Sequence, residues 1–166
     1  MIDSEAHEQG VEGGAISDGL MKWVLQQADR ARQNGETLIA GIHRPLLAHQ
    51  SGARSASFNG TIHNSSEIAR QFANAGLSYF FTGHMHETDV AQYTSPEGNW
   101  LLDMETGSLV TYGAPIRTAT VEGGQITLQS ESVKEITWQG QRIDYQEHLR
   151  QSLFSETAFA RYAMRF

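Results

Sequence analysis

The spacing of apolar positions changes twice along this chain. From Ser17, Leu20, Val24, Gln27/Ala28 and Ala31 recur at intervals of three and four with Trp23 beside them, which predicts an amphipathic helix. Ser17 or Asp18 caps its start, and Asn34-Gly35 stops it. The run TLIAGI that follows is apolar and unpunctuated, as expected of a strand buried on both faces, and it ends at His43. A long loop, HRPLLAHQSGARSASFNGTIHN, leads to a second helical pattern, NSSEIARQFANAG. There Asn64 and Glu67 have capping-box spacing, Ile68, Phe72 and Ala75 form the buried face, and Gly76 is the stop. LSYFFT predicts a second buried strand ending at Gly83. Beyond it the period falls toward two. DVAQYTS, the turn PEGN, WLLDMET, RTATV, the turn EGG and QITLQSESVKEITW predict an antiparallel meander. From about Asp144 to Phe166 the pattern is helical again, through Leu149, Leu153, Phe154, Ala158, Phe159 and Tyr162.

The expected fold is therefore α/β with a mixed sheet, a strand–helix–strand core followed by antiparallel strands. Both early strands finish in loops that carry histidine. If they are parallel neighbours, those loops share the carboxyl edge of the sheet, where open α/β sheets bind ligands. His43, His84 and His86 would converge there. A single histidine after a strand is ordinarily a loop residue, and an isolated His-x-His arises by chance; the constellation says more than its parts. Gly83 would let the backbone turn sharply as the strand ends. Neutral imidazole suits Zn, Fe, Mn or Ni.

Composition narrows the chemistry. The chain has 166 residues, enough for about one domain, and its 39% hydrophobic and 19% charged residues are those of a globular protein. It contains no cysteine, which excludes disulfides, thiolate metal sites and a cysteine nucleophile. A net charge of -7, from 19 acidic and 12 basic residues, argues against a nucleic-acid-binding surface. No apolar stretch approaches membrane-spanning length, and the acidic start MIDSEAHEQG has no signal-peptide core, so no membrane partner is expected and the compartment is left open.

IHRPLLAH and TGHMH, with a helix between them, resemble the last two motifs of the calcineurin-like metallophosphoesterases. The stretch from Gly14 to His49 is similar to the helix and strand that carry the first of these motifs. LLDMETGSLVTYGAPIRTATVE resembles the strands after the Gly-His-x-His loop in bacterial phosphodiesterase-like members. The resemblance covers about residues 1–137, leaving 138–166 as a C-terminal helical extension. It implies part of a four-layer α/β/β/α sandwich with mixed sheets, ending in a C-terminal helix. It also implies hydrolysis of phosphate esters, such as the phosphodiesters of cyclic nucleotides, at a binuclear centre of divalent or trivalent Mn, Fe or Zn. His43 and His84 would ligate one metal and His86 the other. Two cations suit this chemistry because they acidify bound water and clamp the attacking and leaving oxygens.

The family's earlier motifs, Asp-x-His, Gly-Asp-x-x-Asp and Gly-Asn-His-Asp/Glu, do not occur here. The bridging carboxylate, the metal-binding asparagine and the histidine that assists the leaving group are thus missing, and no catalytic residue is identified in this chain. The expectation is the C-terminal half of a phosphoesterase, with at most one metal weakly bound and little activity alone. Its partners would be a phosphate-ester substrate and either the missing N-terminal half or a second copy. The alternative is a non-catalytic interaction module, or a subunit completed by another chain. Arg44 and His49 are candidates to contact phosphate, although an ordinary loop residue is the default for each. Asp89 is a candidate to orient an imidazole. Asp103 and Glu105 alternate with apolar residues and read as a solvated strand face. His63, next to a helix start, and His7 and His148 read as ordinary surface residues.

Overall fold

The computed structural model of the chain describes residues 1–4, 14–50, 60–123 and 125–154. Chain packing divides it into two compact units, Met1–Thr106 and Gly107–Phe166. In the first unit, α1 (Asp18–Asn34) begins where the pattern places it. The Ser17 hydroxyl accepts the Leu20 N–H, and Gly35 closes the helix at φ 68°. Only Gly or Asn adopts that left-handed cap readily. Val24, Ala28 and Ala31 are buried, while Trp23 stays about half exposed (51%).

The sheet is mixed and has the order β1-β2-β4-β3. β1 (Ile39–Gly41) pairs in parallel with β2 (Tyr79–Thr82), and β2 in parallel with β4 (Trp100–Glu105). β3 (Asp89–Thr94) runs antiparallel to β4. β1 differs from expectation. Ile39 is exposed and only Ala40 is buried, so it is not covered on both faces. Beyond its end, Ile42 makes an isolated parallel bridge to Ile2.

The connection from β1 to β2 runs through α2 (Ser65–Asn74), the crossover that a parallel pair requires. Its start is not a capping box. Asn64 sits in the left-handed region, at φ 54°, and makes no side-chain cap bond, while Glu67 turns outward to Arg70 and Gln71. The buried face of α2 is Ile68, Ala69, Phe72 and Ala73, with Ala75 only partly covered. Phe72 stacks on Phe80 of β2 with ring centroids 5.3 Å apart, and neither ring reaches solvent. Leu46, Leu47, Ile62, Leu77 and Leu101 join them in one core.

The second unit holds two hairpins and a helix. β5 (Pro115–Glu122) pairs with β6 (Gln125–Ser132), and β7 (Glu135–Trp138) with β8 (Gln141–Asp144). The β8 strand falls within 138–166, the stretch expected to be a helical extension, of which the described part is helical only from Tyr145. Gln139 and Gly140, both at positive φ, turn the chain between β7 and β8, and glutamine gives no conventional sign of such a turn. The last helix, α3 (Tyr145–Phe154), is capped by Asp144, whose carboxylate accepts the Glu147 N–H. The helical pattern expected after residue 154 lies outside the described residues. Gln146 donates to the Val133 carbonyl and tethers the helix to the strand connection. Among the described residues no helix is long and apolar enough to cross a membrane.

The Phe72–Phe80 stack leads to a stability prediction. Phe72→Ala should destabilise the first unit by about 3–5 kcal/mol, and Trp23→Ala by less than about 1 kcal/mol. Urea denaturation followed by circular dichroism measures both. Equal effects would mean that the core is not centred on this pair.

Candidate functional site

The parallel register carries β1 and β2 side by side to their carboxyl ends, and the backbones stay paired beyond them. Ile42 N–H donates to the Phe81 carbonyl at 3.0 Å, and Gly83 N–H to the His43 carbonyl at 3.0 Å. The two histidine loops therefore leave the sheet together. His43 Nε2 lies 3.3 Å from His84 Nδ1, the rings meeting edge to face at 5.2 Å between centroids. On the far side of His84, Nε2 is 2.9 Å from Arg44 Nη1.

These contacts fix the protons of the neutral pair. A guanidinium only donates, so His84 Nε2 presents a lone pair to Arg44. Neutral His84 then carries its proton on Nδ1 and donates it to His43 Nε2. Arg44 is held in place by its surroundings. Its backbone N–H donates to Ser4 Oγ at 3.2 Å, and its side chain passes over Gly14. A Cβ at Gly14 would come within 2.9 Å of Arg44 Cδ and Nε and 2.3 Å of the Ser4 carbonyl oxygen, and φ there is +75°, so only glycine fits.

The strained residues at the second loop are the histidines. His84 and His86 lie at φ 76° and 61°, whereas Gly83 is not in the left-handed region. Each such non-glycine residue costs on the order of 1 kcal/mol. Gly83 thus does not supply the turn expected of it; the close pairing to His43 lies at Gly83, and the turn falls on the residues after it. His86 is exposed. Among the described residues, no group of three or more His, Asp or Glu side chains is placed to hold a metal ion.

Beneath the loops lies a buried acidic layer that the alternation of WLLDMET concealed. Asp103 and Glu105 are both at 0% exposure, not on a solvated face. The loops that carry Leu46, Leu47 and Met85 fold over this face of β4 and cover its polar positions along with Leu101. Asp103 Oδ2 accepts the N–H groups of Leu46 at 2.7 Å and Leu47 at 2.9 Å, and Oδ1 accepts the Thr82 hydroxyl. Glu105 Oε1 accepts the Met85 N–H at 2.7 Å. One carboxylate holds the loop of His43, and the other holds the loop of His84 and His86.

His49 completes this layer. Its side chain is shut away from solvent rather than solvated. Nδ1 lies 3.0 Å from Asp89 Oδ2, Nε2 lies 3.3 Å from Asp103 Oδ1, and Glu105 Oε2 is 3.9 Å away. The Nε2–Asp103 contact is an ion pair without hydrogen-bond alignment. Burial alone would lower the His49 pKa; Asp103, Asp89 and Glu105 outweigh it and raise it to about 9. Burial raises Glu105 to about 7, against the pull of His49 and of the Met85 and Glu87 backbone. Asp89 orients an imidazole as anticipated, but that of His49, which is not one of the three histidines expected to bind metal. His63 lines a separate groove with Asn64, Glu67 and Met21.

No protein-family model matches the chain, and no curated protein matches its sequence.

The buried layer sets a pH dependence. Folded His49 keeps its proton to about pH 9, against 6.5 for an ordinary histidine, and folded Glu105 to about 7, against 4.5 for an ordinary glutamate. The folded chain therefore binds more protons than the unfolded chain at neutral to alkaline pH. The His49 contribution is fully present below about pH 6.5 and is lost as the pH rises through 9. Stability should fall over that window by on the order of 3 kcal/mol at most, and His49→Gln should flatten the fall. Urea midpoints at pH 6.5, 7.5 and 9 test this; a flat wild-type profile contradicts the charged His49.

Proposed function

We propose that this chain carries part of the metal centre of a phosphoesterase, with His43 and His84 as ligands to one divalent ion. The observation that carries the reading is the 3.3 Å separation of His43 Nε2 and His84 Nδ1 at the carboxyl ends of two parallel strands. Two nitrogens bound tetrahedrally at about 2.0–2.1 Å from one ion stand about 3.3 Å apart. His86, exposed on the same strained loop, is the ligand proposed for a second ion. Strain held at a loop that bears polar side chains is characteristic of functional sites.

A bound divalent ion supplies Lewis-acid polarisation of a phosphoryl oxygen and a water acidic enough to attack near neutral pH. This chain's residues supply the positions. Asp103 and Glu105 fix the two loops from below, and the His43–His84 contact orients both rings. Two imidazoles are too few for tight binding, and among the described residues no carboxylate joins His43, His84 and His86 in a group placed to hold a metal ion. The remaining ligands of a binuclear centre would come from a polypeptide segment beyond these residues or from a partner chain, completing a four-layer α/β/β/α sandwich. A phosphate ester, in particular an anionic phosphodiester, is the substrate class that such a centre serves.

A second reading has its own support. The absence of a three-ligand group among the described residues, together with the satisfied His84, suits a non-catalytic module that keeps the loop geometry for binding.

The test pairs metal content with turnover. The purified chain should bind about one Mn²⁺ or Zn²⁺ weakly, and His43→Ala or His84→Ala should weaken binding at least about tenfold. Hydrolysis of bis(4-nitrophenyl) phosphate should be absent or very slow. Calorimetric titration and absorbance report the two quantities. Binding unaffected by either substitution would overturn the site, and rapid turnover would mean that the ligand set is larger than proposed.

A further inference from the structure

The Arg44 guanidinium stands on a lone pair that a metal ion would need. We propose that Arg44 is an internal cation that guards His84 in the metal-free chain, is evicted when a divalent ion binds, and then contacts the phosphate of the substrate. The inference rests on the metal-centre reading and deepens it by giving Arg44 a role in regulating that site.

The argument follows from donors and acceptors. Arg44 Nη1 lies 2.9 Å from His84 Nε2, and a guanidinium has hydrogens but no lone pair to offer. An ion bound at Nε2 takes the lone pair that Arg44 now uses. An ion bound instead between His84 Nδ1 and His43 Nε2 takes the place of the Nδ1 proton, and neutral His84 must then carry its proton on Nε2. That N–H points at a guanidinium that can only donate, so the hydrogen bond is lost. Either placement expels Arg44 from His84, and the charge of the ion adds repulsion. The Arg44 backbone N–H is tied to Ser4 Oγ, and its side chain lies against Gly14, where no Cβ hinders it. The displaced guanidinium stays tethered beside the histidine pair, with a planar fork suited to two phosphate oxygens.

Cobalt(II) reports the exchange without any need for activity, through the visible absorption that changes when imidazole ligates it. In the full chain, Arg44→Ala should tighten Co²⁺ binding about tenfold, as removal of a competing cation requires, and Arg44→Gln should act in the same direction. In cobalt-loaded protein, inorganic phosphate should bind about tenfold more weakly to Arg44→Ala than to the wild type. Nitrogen-15 shifts of the His84 ring should show the proton on Nδ1 without metal. Co²⁺ binding that His43→Ala weakens but that both Arg44 variants leave unchanged or weaken would overturn the guarding role while leaving the metal site intact. Co²⁺ binding indifferent to His43→Ala would overturn the metal site and this proposal with it. Unchanged phosphate affinity in Arg44→Ala would overturn the second half, the contact with substrate.

Discussion

Asp103 Oδ2 accepts two adjacent backbone N–H groups, those of Leu46 and Leu47, while Oδ1 takes the Thr82 hydroxyl. Those bonds cross from an inner strand to the loop that follows His43, and they are made out of contact with water. A buried carboxylate survives only where such donors replace its hydration. The consequence is geometric. With Leu46 and Leu47 pinned, the three residues before them have little freedom, and Gly83 binds the His43 carbonyl from the neighbouring loop. Glu105 does the same for the second loop through Met85. The histidine pair is therefore placed by carboxylates that act through the backbone of its loops.

Such a layer is expensive to assemble, which explains why His49 lies within it. Three carboxylates, Asp89, Asp103 and Glu105, approach one imidazole. Charged His49 offsets the repulsion among them, and they hold its proton above the ordinary histidine range. Removing one member leaves the others buried without compensation, a situation that costs more than the intact pairing contributes. The polar layer and the apolar stack of Phe72 on Phe80 share the same face of the sheet: Phe80 is in register with Asp103, and Thr82 with Glu105. One face is thus apolar at its base and acidic at its carboxyl end, beneath the loops.

Much of this was legible in the sequence, and what was missed has a common cause. Ser17, Gly35 and Gly76 marked helix ends correctly because caps depend on local backbone chemistry. The convergence of His43 and His84 followed from strand–helix–strand order, since a crossover helix makes the flanking strands parallel. Asp103, Glu105 and His49 were misread because their environment is set by distant pairing. Alternation of acid and apolar residues describes a strand with one wet face, and only the loops folded over that face, whose Leu46, Leu47 and Met85 N–H groups donate to Asp103 and Glu105, make it otherwise. Asn64 failed as a side-chain cap for the opposite reason: its spacing to Glu67 was right, but the backbone entered the helix through a left-handed residue. The placement of Arg44 depends on Gly14 and Ser4, some 30 and 40 residues away in sequence, and no local pattern indicates it.

The central claim is that the facing nitrogens of His43 and His84 share one ion. X-ray absorption at the zinc edge of the purified, zinc-loaded chain measures this directly. The account predicts two imidazole scatterers at about 2.0–2.1 Å, with one of them lost in His43→Ala. A zinc shell made only of oxygen, or one unchanged in His43→Ala, would contradict it.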